Sequence, residues 1–420
     1  MKAEVKNPRY SVLIPAKNGG LYLPACVDSV TSQEGADMEL LVSDDHSTDT
    51  TQDYLAAQVD ERLGVLHPPA DMSMAEHWEW VLGQARGEWL IFVGQDDGLQ
   101  SYFLTLADKL VSIAEEHDLK VISSRRAYWF WPGCETSYGD IALSYGASGK
   151  ISIMPTRLMG WTALLGMRDY FDLPQMYTTS LFHRSVIERA RKLQDGRVFA
   201  THPQDANLAA IAYSLESRYL YSDIPLGWVG SSPKSAGLAV TASGMDGLEN
   251  LKQSYLKSVD RSGLKCSDAI GPFSIGSTVL YYWGALLETG KLRKGRSSGF
   301  LSSRMAKRLV FSAAYSELSH TESSAGGRRM DAFLETAAGN GFDQIGHSWT
   351  GRIFLRLARF ILRSLIKLWA IFTPRVDSMA AGWSGAGKVE IFRRRSEYPD
   401  ISLETAQSLV AEKLRGSWHE

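Results

Sequence analysis

The first 125 residues repeat one pattern that restricts the fold more than anything else in the chain. Short runs of unbroken apolar, often β-branched residues alternate with stretches of helical spacing. SVLIPA (11–16), MELLVSDD (38–45), LGVLH (63–67), EWLIFVGQDD (88–97) and LKVISS (119–124) are the runs. Between them, Leu23, Val27 and Val30 share one helical face within 21–33, and 47–58 reads as a helix with Ser47 or Thr48 as N-cap. The stretches 75–85 and 101–117 are helical in the same sense. A strand that is apolar on both faces needs cover on both faces. The alternation therefore predicts an α/β fold with a Rossmann-like, mostly parallel sheet and helices on either side. In such sheets ligands bind beyond the carboxyl ends of the strands.

The rest of the chain is less regular. From about 132 to 175 Gly, Ser and Pro are frequent, which reads as a long loop region with one short helix. A helix is expected over 201–217, with Thr201 as candidate cap, and a strand followed by a polar loop over 218–237. After about 245 the sequence is mainly helical, interrupted by GRSSG and SSAGGRR, and it has no internal repeat. The organisation expected is a domain over 1–240, with a donor half at 1–131 and an acceptor half at 132–240. A helical extension over 241–345 and an amphipathic C-terminal region over 346–420 follow it.

Two acidic pairs stand at strand ends, Asp44-Asp45 and Asp96-Asp97. Alone, an Asp pair in such a place is usually turn chemistry, and one Asp of the first pair would suffice to cap the helix near Ser47. Two pairs at the same edge of a parallel sheet are harder to explain that way. Adjacent like charges repel, and a cation neutralises them. Carboxylate oxygens suit Mn²⁺ or Mg²⁺, which keep waters and bind through one or two carboxylates plus substrate phosphates. Such an ion beside a diphosphate stabilises a leaving group that gains negative charge. Lys plus Arg (45) nearly balance Asp plus Glu (47) over 420 residues, so no global field marks a nucleic-acid binder. Three scattered cysteines argue for a reducing compartment, and no apolar run is long enough to span a bilayer. A cytoplasmic protein is expected.

In order and spacing, VLIPAKNGGLYLPACVDSVTSQ, ELLVSDDHSTDTTQDYL and ARGEWLIFVGQDDG resemble the family 2 glycosyltransferases of the GT-A fold, over roughly 9–235. The resemblance implies a metal-dependent, inverting enzyme that takes a nucleotide-sugar donor, with UDP- or dTDP-sugars favoured. It implies donor contacts from Pro15, Ala16 and Asn18, and from Asp44 or Asp45 at the nucleobase. Asp96 and Asp97 fall on its metal and diphosphate motif, with Asp97 and Asp96 as metal residues and Asp96 also facing the donor. Two positions depart from the family pattern: Gly94 replaces an acid two residues before Asp96, and Lys17 replaces an aromatic.

Inverting transfer needs a base for the attacking hydroxyl. The family places it after the irregular acceptor-side segment, where His202-Pro203-Gln204-Asp205 opens a helix; Asp205 is the candidate and His202 the weaker one. The alternative for Asp205 is an acid complementing the helix dipole. The loop 228–237 lies where relatives carry a segment that closes over the donor, and Lys234 is a candidate phosphate contact. Trp161 and Trp228 are candidates for sugar stacking, with core packing the simpler reading. Gly382 to Lys388 has Walker spacing, but Val389 replaces the required Ser or Thr and VEIFRRR alternates like a strand, so a P-loop is rejected.

Within 351–372, Arg352, Arg356, Arg359, Arg363 and Lys367 fall in an arc of roughly 80° on a helical wheel and leave a broad apolar face. That suits a helix lying in the headgroup plane of an anionic membrane. The alternatives are packing on the catalytic domain with the basic edge solvated, or contact with a second copy. Together these readings imply transfer to a glycan or lipid-linked acceptor in surface polysaccharide or lipopolysaccharide assembly, peripheral to the inner face of the cytoplasmic membrane. The rival readings are a sugar-phosphate nucleotidyltransferase and a non-catalytic binding or scaffold protein of the same fold.

Overall fold

The computed structural model describes residues 7–35, 37–235, 249–264, 266–272, 275–293, 298–319, 324–345, 349–373, 376 and 388–414. Its strands are Tyr10–Ala16 (β1), Met38–Asp44 (β2), Leu63–Leu66 (β3), Trp89–Phe92 (β4), Gly98–Leu99 (β5), Val121–Ser124 (β6) and Ala127–Phe130 (β7). Leu143–Ala147 (β8), Ile151–Pro155 (β9), Ser180–His183 (β10), Arg218–Ser222 (β11), Gly227–Ser231 (β12) and Val389–Arg393 (β13) complete them. Eight form one sheet in the order β3-β2-β1-β4-β10-β6-β11-β9, and five form a second in the order β13-β8-β7-β12-β5.

The four N-terminal strands of the large sheet are parallel, as their unbroken apolar runs require. β10 enters antiparallel between β4 and β6, and β9 closes the far edge antiparallel to β11, so the sheet is mixed. Successive side chains of β1 feed opposite cores. Leu13 joins the cluster beneath the helices Met74–Gln84, Thr156–Leu164 and Gln204–Leu215. Val12 and Ile14 join the one beneath the helices Leu23–Thr31 and Phe103–Glu116. Helix Met74–Gln84 is fixed at its start by a reciprocal cap: Ser73 Oγ accepts the Glu76 N–H, and a Glu76 carboxylate oxygen accepts the Ser73 N–H at 3.0 Å.

Several expectations are corrected. The segment 132–175 is not a long loop. It holds β8, β9 and the helix Thr156–Leu164 as well as the short helix Glu135–Tyr138. Its strands are short and antiparallel; β9 alternates buried with half-buried residues and β8 is broken by Ser144 and Gly146, so both lack the apolar runs that mark the parallel half. The second helix starts at Thr51 with Thr50, not Ser47 or Thr48, at the N-cap position: Asp49 accepts the Thr51 N–H at 3.0 Å, while Ser47 Oγ is occupied by the Asn18 N–H at 2.7 Å. Thr201 does not cap the later helix, which starts at Gln204 after Pro203. The stretch 218–235 folds as two strands, β11 and β12, not one.

The C-terminal residues return to the sheets. β13 pairs antiparallel with β8, so VEIFR is the strand its alternation suggested, whereas 382–387 lie outside the described residues. The helix Leu403–Leu414 buries Leu403, Ala406, Val410 and Leu414 in the core that holds Leu23 and Cys26, and Gln407 Nε2 donates to the Leu99 carbonyl at 2.8 Å. The helix Trp349–Phe372 seats Leu355 and Leu362 on the helices before it. Arg359 is not part of an outward stripe: its Nε donates to the Leu165 carbonyl at 2.8 Å. No helix among the described residues is long and apolar enough to cross a membrane.

Candidate functional site

Parallel pairing brings the two acidic tips to one end of the sheet. Ala16 of β1 is in register with Asp44 of β2, and Leu13 with Phe92 of β4. Backbone bonds carry the pairing past the strands, from Asp45 N to the Ala16 carbonyl and from Val93 N to the Leu13 carbonyl, both at 2.9 Å. Between the tips lies the turn after β1. Gln95 Oε1 accepts the Lys17 N–H at 2.9 Å, and Lys17 Nζ reaches Asp45 Oδ2 at 2.9 Å. Lys17 also pairs with Asp71, which Arg261 holds from the other side at 2.5 Å. Although burial opposes it, bonding to Asp71 and Asp45 raises the Lys17 ammonium above its usual value. Arg261 and Lys17 lower Asp71 to about 2.

Within the first tip the two carboxylates differ. Asp45 is buried and accepts from Lys17 and, at 3.1 Å, from the Met72 N–H. Asp44 is buried too; Oδ1 accepts the Ser47 N–H at 3.2 Å, while Oδ2 has no hydrogen-bond partner among the described residues. A buried carboxylate oxygen without a donor is costly, and a ligand N–H would satisfy it. Pro15 and Ala16 border this corner as the last residues of β1. Asn18 is used structurally: its Oδ1 accepts the Thr48 N–H at 2.8 Å and its carbonyl accepts Lys234 Nζ at 3.3 Å.

The second tip is held differently. Asp97, 2% exposed, accepts the Gly94 N–H at 2.9 Å and the Thr178 hydroxyl at 2.6 Å on Oδ2, and the Gly230 N–H at 2.5 Å on Oδ1. The Tyr177 hydroxyl bonds to it as well. Burial first, and the Asp96 charge second, push its carboxyl up to about 7. With both oxygens engaged by four donors, Asp97 is a clamp that ties the end of β4 to the 177–178 segment and to β12. Asp96 is half-buried, and the hydroxyls of Ser232 (2.7 Å) and Ser235 (2.5 Å) both donate to its Oδ2. The loop 232–235 thus spans the crevice from Asp96 to Asn18, and residues 236–237 of the expected closing segment lie outside the described residues.

The departure at Gly94 has a steric cause. A Cβ there would lie 2.2 Å from Tyr177 Oη and 2.8 Å from Asp97 Oδ2, so the phenol fills the place of a side chain at 94. Gly230 is needed for a similar reason: a Cβ would meet the Asp96 carbonyl at 1.7 Å.

Asp205 sits in the first turn of the helix Gln204–Leu215. The buried Tyr170 hydroxyl lies 3.1 and 3.2 Å from its two oxygens, and the Ala206 N–H donates to Oδ1 at 2.8 Å. Burial raises its carboxyl above the usual range, with Ala206, Tyr170 and Arg126 pulling the other way. The charges of Asp97, Asp96 and Asp205 all reach the Tyr177 hydroxyl and, after burial, raise its pKa. The three carboxylates therefore lie around one phenol. His202 is buried against Ser262 Oγ at 2.7 Å, and burial lowers it to about 4, which leaves it a packed neutral imidazole. Trp228 is fully buried and Trp161 packs on Phe300 with ring centroids 5.6 Å apart, so both belong to the packing. The sequence reading missed Gln95, Tyr170, Tyr177, Thr178, Ser232 and Ser235; none lies in a recognisable pattern with the acid it serves.

A GT-A-like mixed sheet with acidic residues grouped at its strand ends defines the class of this domain. Residues 11–187 match the family model described as glycosyl transferase family 2. A "PGL/p-HBAD biosynthesis glycosyltransferase" of Mycobacterium bovis is 36% identical over 110 residues, which cover 26% of this chain and 41% of the relative. "Glycosyltransferase GlyG" of Streptococcus pneumoniae is 29% identical over 114 residues, 27% of this chain and 37% of its own. The chain thus spans less than half the length of these relatives. Among solved structures, S. aureus TarS in complex with UDP-GlcNAc aligns over 81% of this chain and 91% of its own, with 15% identity and a TM-score of 0.43.

Proposed function

We propose that the protein transfers a sugar, with inversion, from a nucleoside-diphosphate sugar to a hydroxyl of a glycan or lipid-linked acceptor. The setting is surface polysaccharide or lipopolysaccharide assembly at the inner face of the cytoplasmic membrane. The observation that carries the reading is the grouping of Asp96 and Asp205 around one phenol, Tyr177, at the carboxyl ends of the parallel strands. The name of the M. bovis relative supports a biosynthetic setting. In this reading Asp44 Oδ2 accepts an N–H of a pyrimidine base, as in UDP- or dTDP-sugars, and Asp45 positions Lys17 beside it. Lys234 and the Ser232–Ser235 turn lie over the diphosphate.

Asp205 accepts the proton of the acceptor hydroxyl as that oxygen bonds to the anomeric carbon. The bond from that carbon to the diphosphate breaks with its electron pair leaving on the phosphate oxygen. A carboxyl raised by burial is suited to taking that proton. No group of three or more acidic, His or Cys residues able to hold a metal occurs among the described residues. Asp96 nonetheless fits an ion shared with substrate phosphates, because its Oδ2 is held by hydroxyls and no described residue bonds its other oxygen. Asp97 does not fit as a direct ligand, since four protein donors already occupy it. A bound Mn²⁺ or Mg²⁺ would neutralise charge on the leaving diphosphate.

The test is product release. Incubated with UDP- and dTDP-sugars, Mn²⁺ and acceptor extracts, the protein should release a nucleoside diphosphate. Asp205→Asn should slow release roughly 10²- to 10⁴-fold with donor binding retained. Release of pyrophosphate would instead establish a nucleotidyltransferase, and donor binding without release a non-catalytic protein.

A further inference from the structure

We propose that the outward face of the helix Trp349–Phe372 is a docking surface for an anionic lipid bilayer and lies in the plane of its headgroups. This stands apart from the transfer reading, because it uses neither the crevice nor the carboxylates.

The helix is fixed in rotation. Leu355 and Leu362 are buried on the protein side. Arg359 donates to the carbonyls of Leu165 at 2.8 Å and Gly166 at 3.3 Å, and Trp369 Nε1 donates to the Ile153 carbonyl at 3.1 Å. With that side committed, nine large apolar side chains from Ile353 to Phe372 point outward, each at least 41% exposed. Phe360 at 67%, Ile371 at 74% and Phe372 at 79% are the most open. A contiguous apolar face of this kind is rare on a protein that stays in water.

Charge decides what covers it. At about 100° per residue, Arg352, Arg356, Arg363 and Lys367 form one border of the apolar face, between it and the protein. On the other border the Arg308 guanidinium lies 5.8 Å from the centre of the Phe354 ring. The helix has no acidic residue. A second copy placed on this face would bring cationic borders together with no acid on the helix to pair them, whereas phosphate headgroups complement both borders. An apolar centre framed by Arg and Lys is the pattern of a helix lying at a bilayer surface.

Flotation of the full chain tests the surface. It should bind vesicles containing about one-third phosphatidylglycerol and bind phosphatidylcholine vesicles weakly, with the anionic binding falling as salt rises. The double variant Phe360→Glu, Ile371→Glu should lose binding roughly tenfold or more. Arg356→Gln with Arg363→Gln should instead remove most of the salt dependence. All four side chains are exposed, so circular dichroism and release of nucleoside diphosphate with a soluble acceptor should be unchanged. Equal flotation of the wild type and the Glu variant would overturn the proposal. So would light scattering that shows a wild-type dimer converted to monomer by the Glu substitutions, since the face would then belong to a second copy.

Discussion

Two acidic tips close the same end of one sheet, and they are balanced in opposite ways. At 44–45 the protein supplies its own cation: Lys17 lies between Asp45 and Asp71, with Arg261 behind. At 96–97 every bond comes from a neutral donor, three hydroxyls and two N–H groups besides the Tyr177 phenol, and no Lys or Arg among the described residues pairs with either acid. Neutral donors orient a carboxylate but do not cancel its charge, so two adjacent acids held in this way retain repulsion. The first tip has its own cation on Asp45 and leaves Asp44 Oδ2, which has no partner among the described residues, for a ligand N–H. The second is completed by what binds there, which fits the proposed cation and diphosphate.

The comparison breaks most visibly through Asp96. Asp96→Ala should reduce nucleoside-diphosphate release roughly 10²- to 10³-fold while the melting temperature stays near that of the wild type. Normal turnover would remove the metal role from the second tip. Asp97→Asn should act on the fold, because an amide turns two N–H donors toward groups that themselves donate. We expect a loss of about 2–4 kcal/mol in urea unfolding. An Asp97→Asn protein of full stability and no activity would return Asp97 to the ligand role.

Proton and cation should compete at the second tip. The fold holds the Asp97 proton up to about pH 7, well above the usual carboxylate range. Its contribution to stability is therefore complete at low pH and is lost as pH rises through about 4 to 7. Mn²⁺ should raise the melting temperature more at pH 8 than at pH 5.5, and Asp96→Ala should abolish that difference. The smallest effect belongs to the first tip. Lys17→Met leaves Asp45 buried with its Met72 N–H, and because Lys17 is itself half-exposed the loss should not exceed about 1 kcal/mol. A loss several times larger would mean that Lys17 is the keystone of that corner.

The parallel half could be read from sequence because strands buried on both faces leave unbroken apolar runs, and the tips could be read because the acids follow those runs directly. Asp205 was legible as an acid opening a helix. Its partner was not: Tyr170 lies 35 residues away in a three-residue turn, and no periodicity ties the two. Gly94 shows the same limit. The sequence gives a missing acid, and only the fold gives the reason, a phenol from 83 positions later occupying the space. The strands β8, β9 and β10 escaped because they are four or five residues long and are broken or bounded by polar residues or glycine. The amphipathic helix was evident at once, yet nothing in its wheel distinguishes the inward Arg359 from its four outward neighbours.

The strand β13 and the helix after it make the chain close on itself. The helical portion leaves the sheets after β12 and returns to them at β13, and between those points it shares one core with the large sheet, where Leu13 and Phe92 join Tyr282, Trp283 and Phe311. A pull on that portion is therefore shared by a broad packed seam and by the strand that follows it. A fragment stopped near residue 235 would lose both and bare the rim of β8, whose open backbone would then seek another chain to pair with.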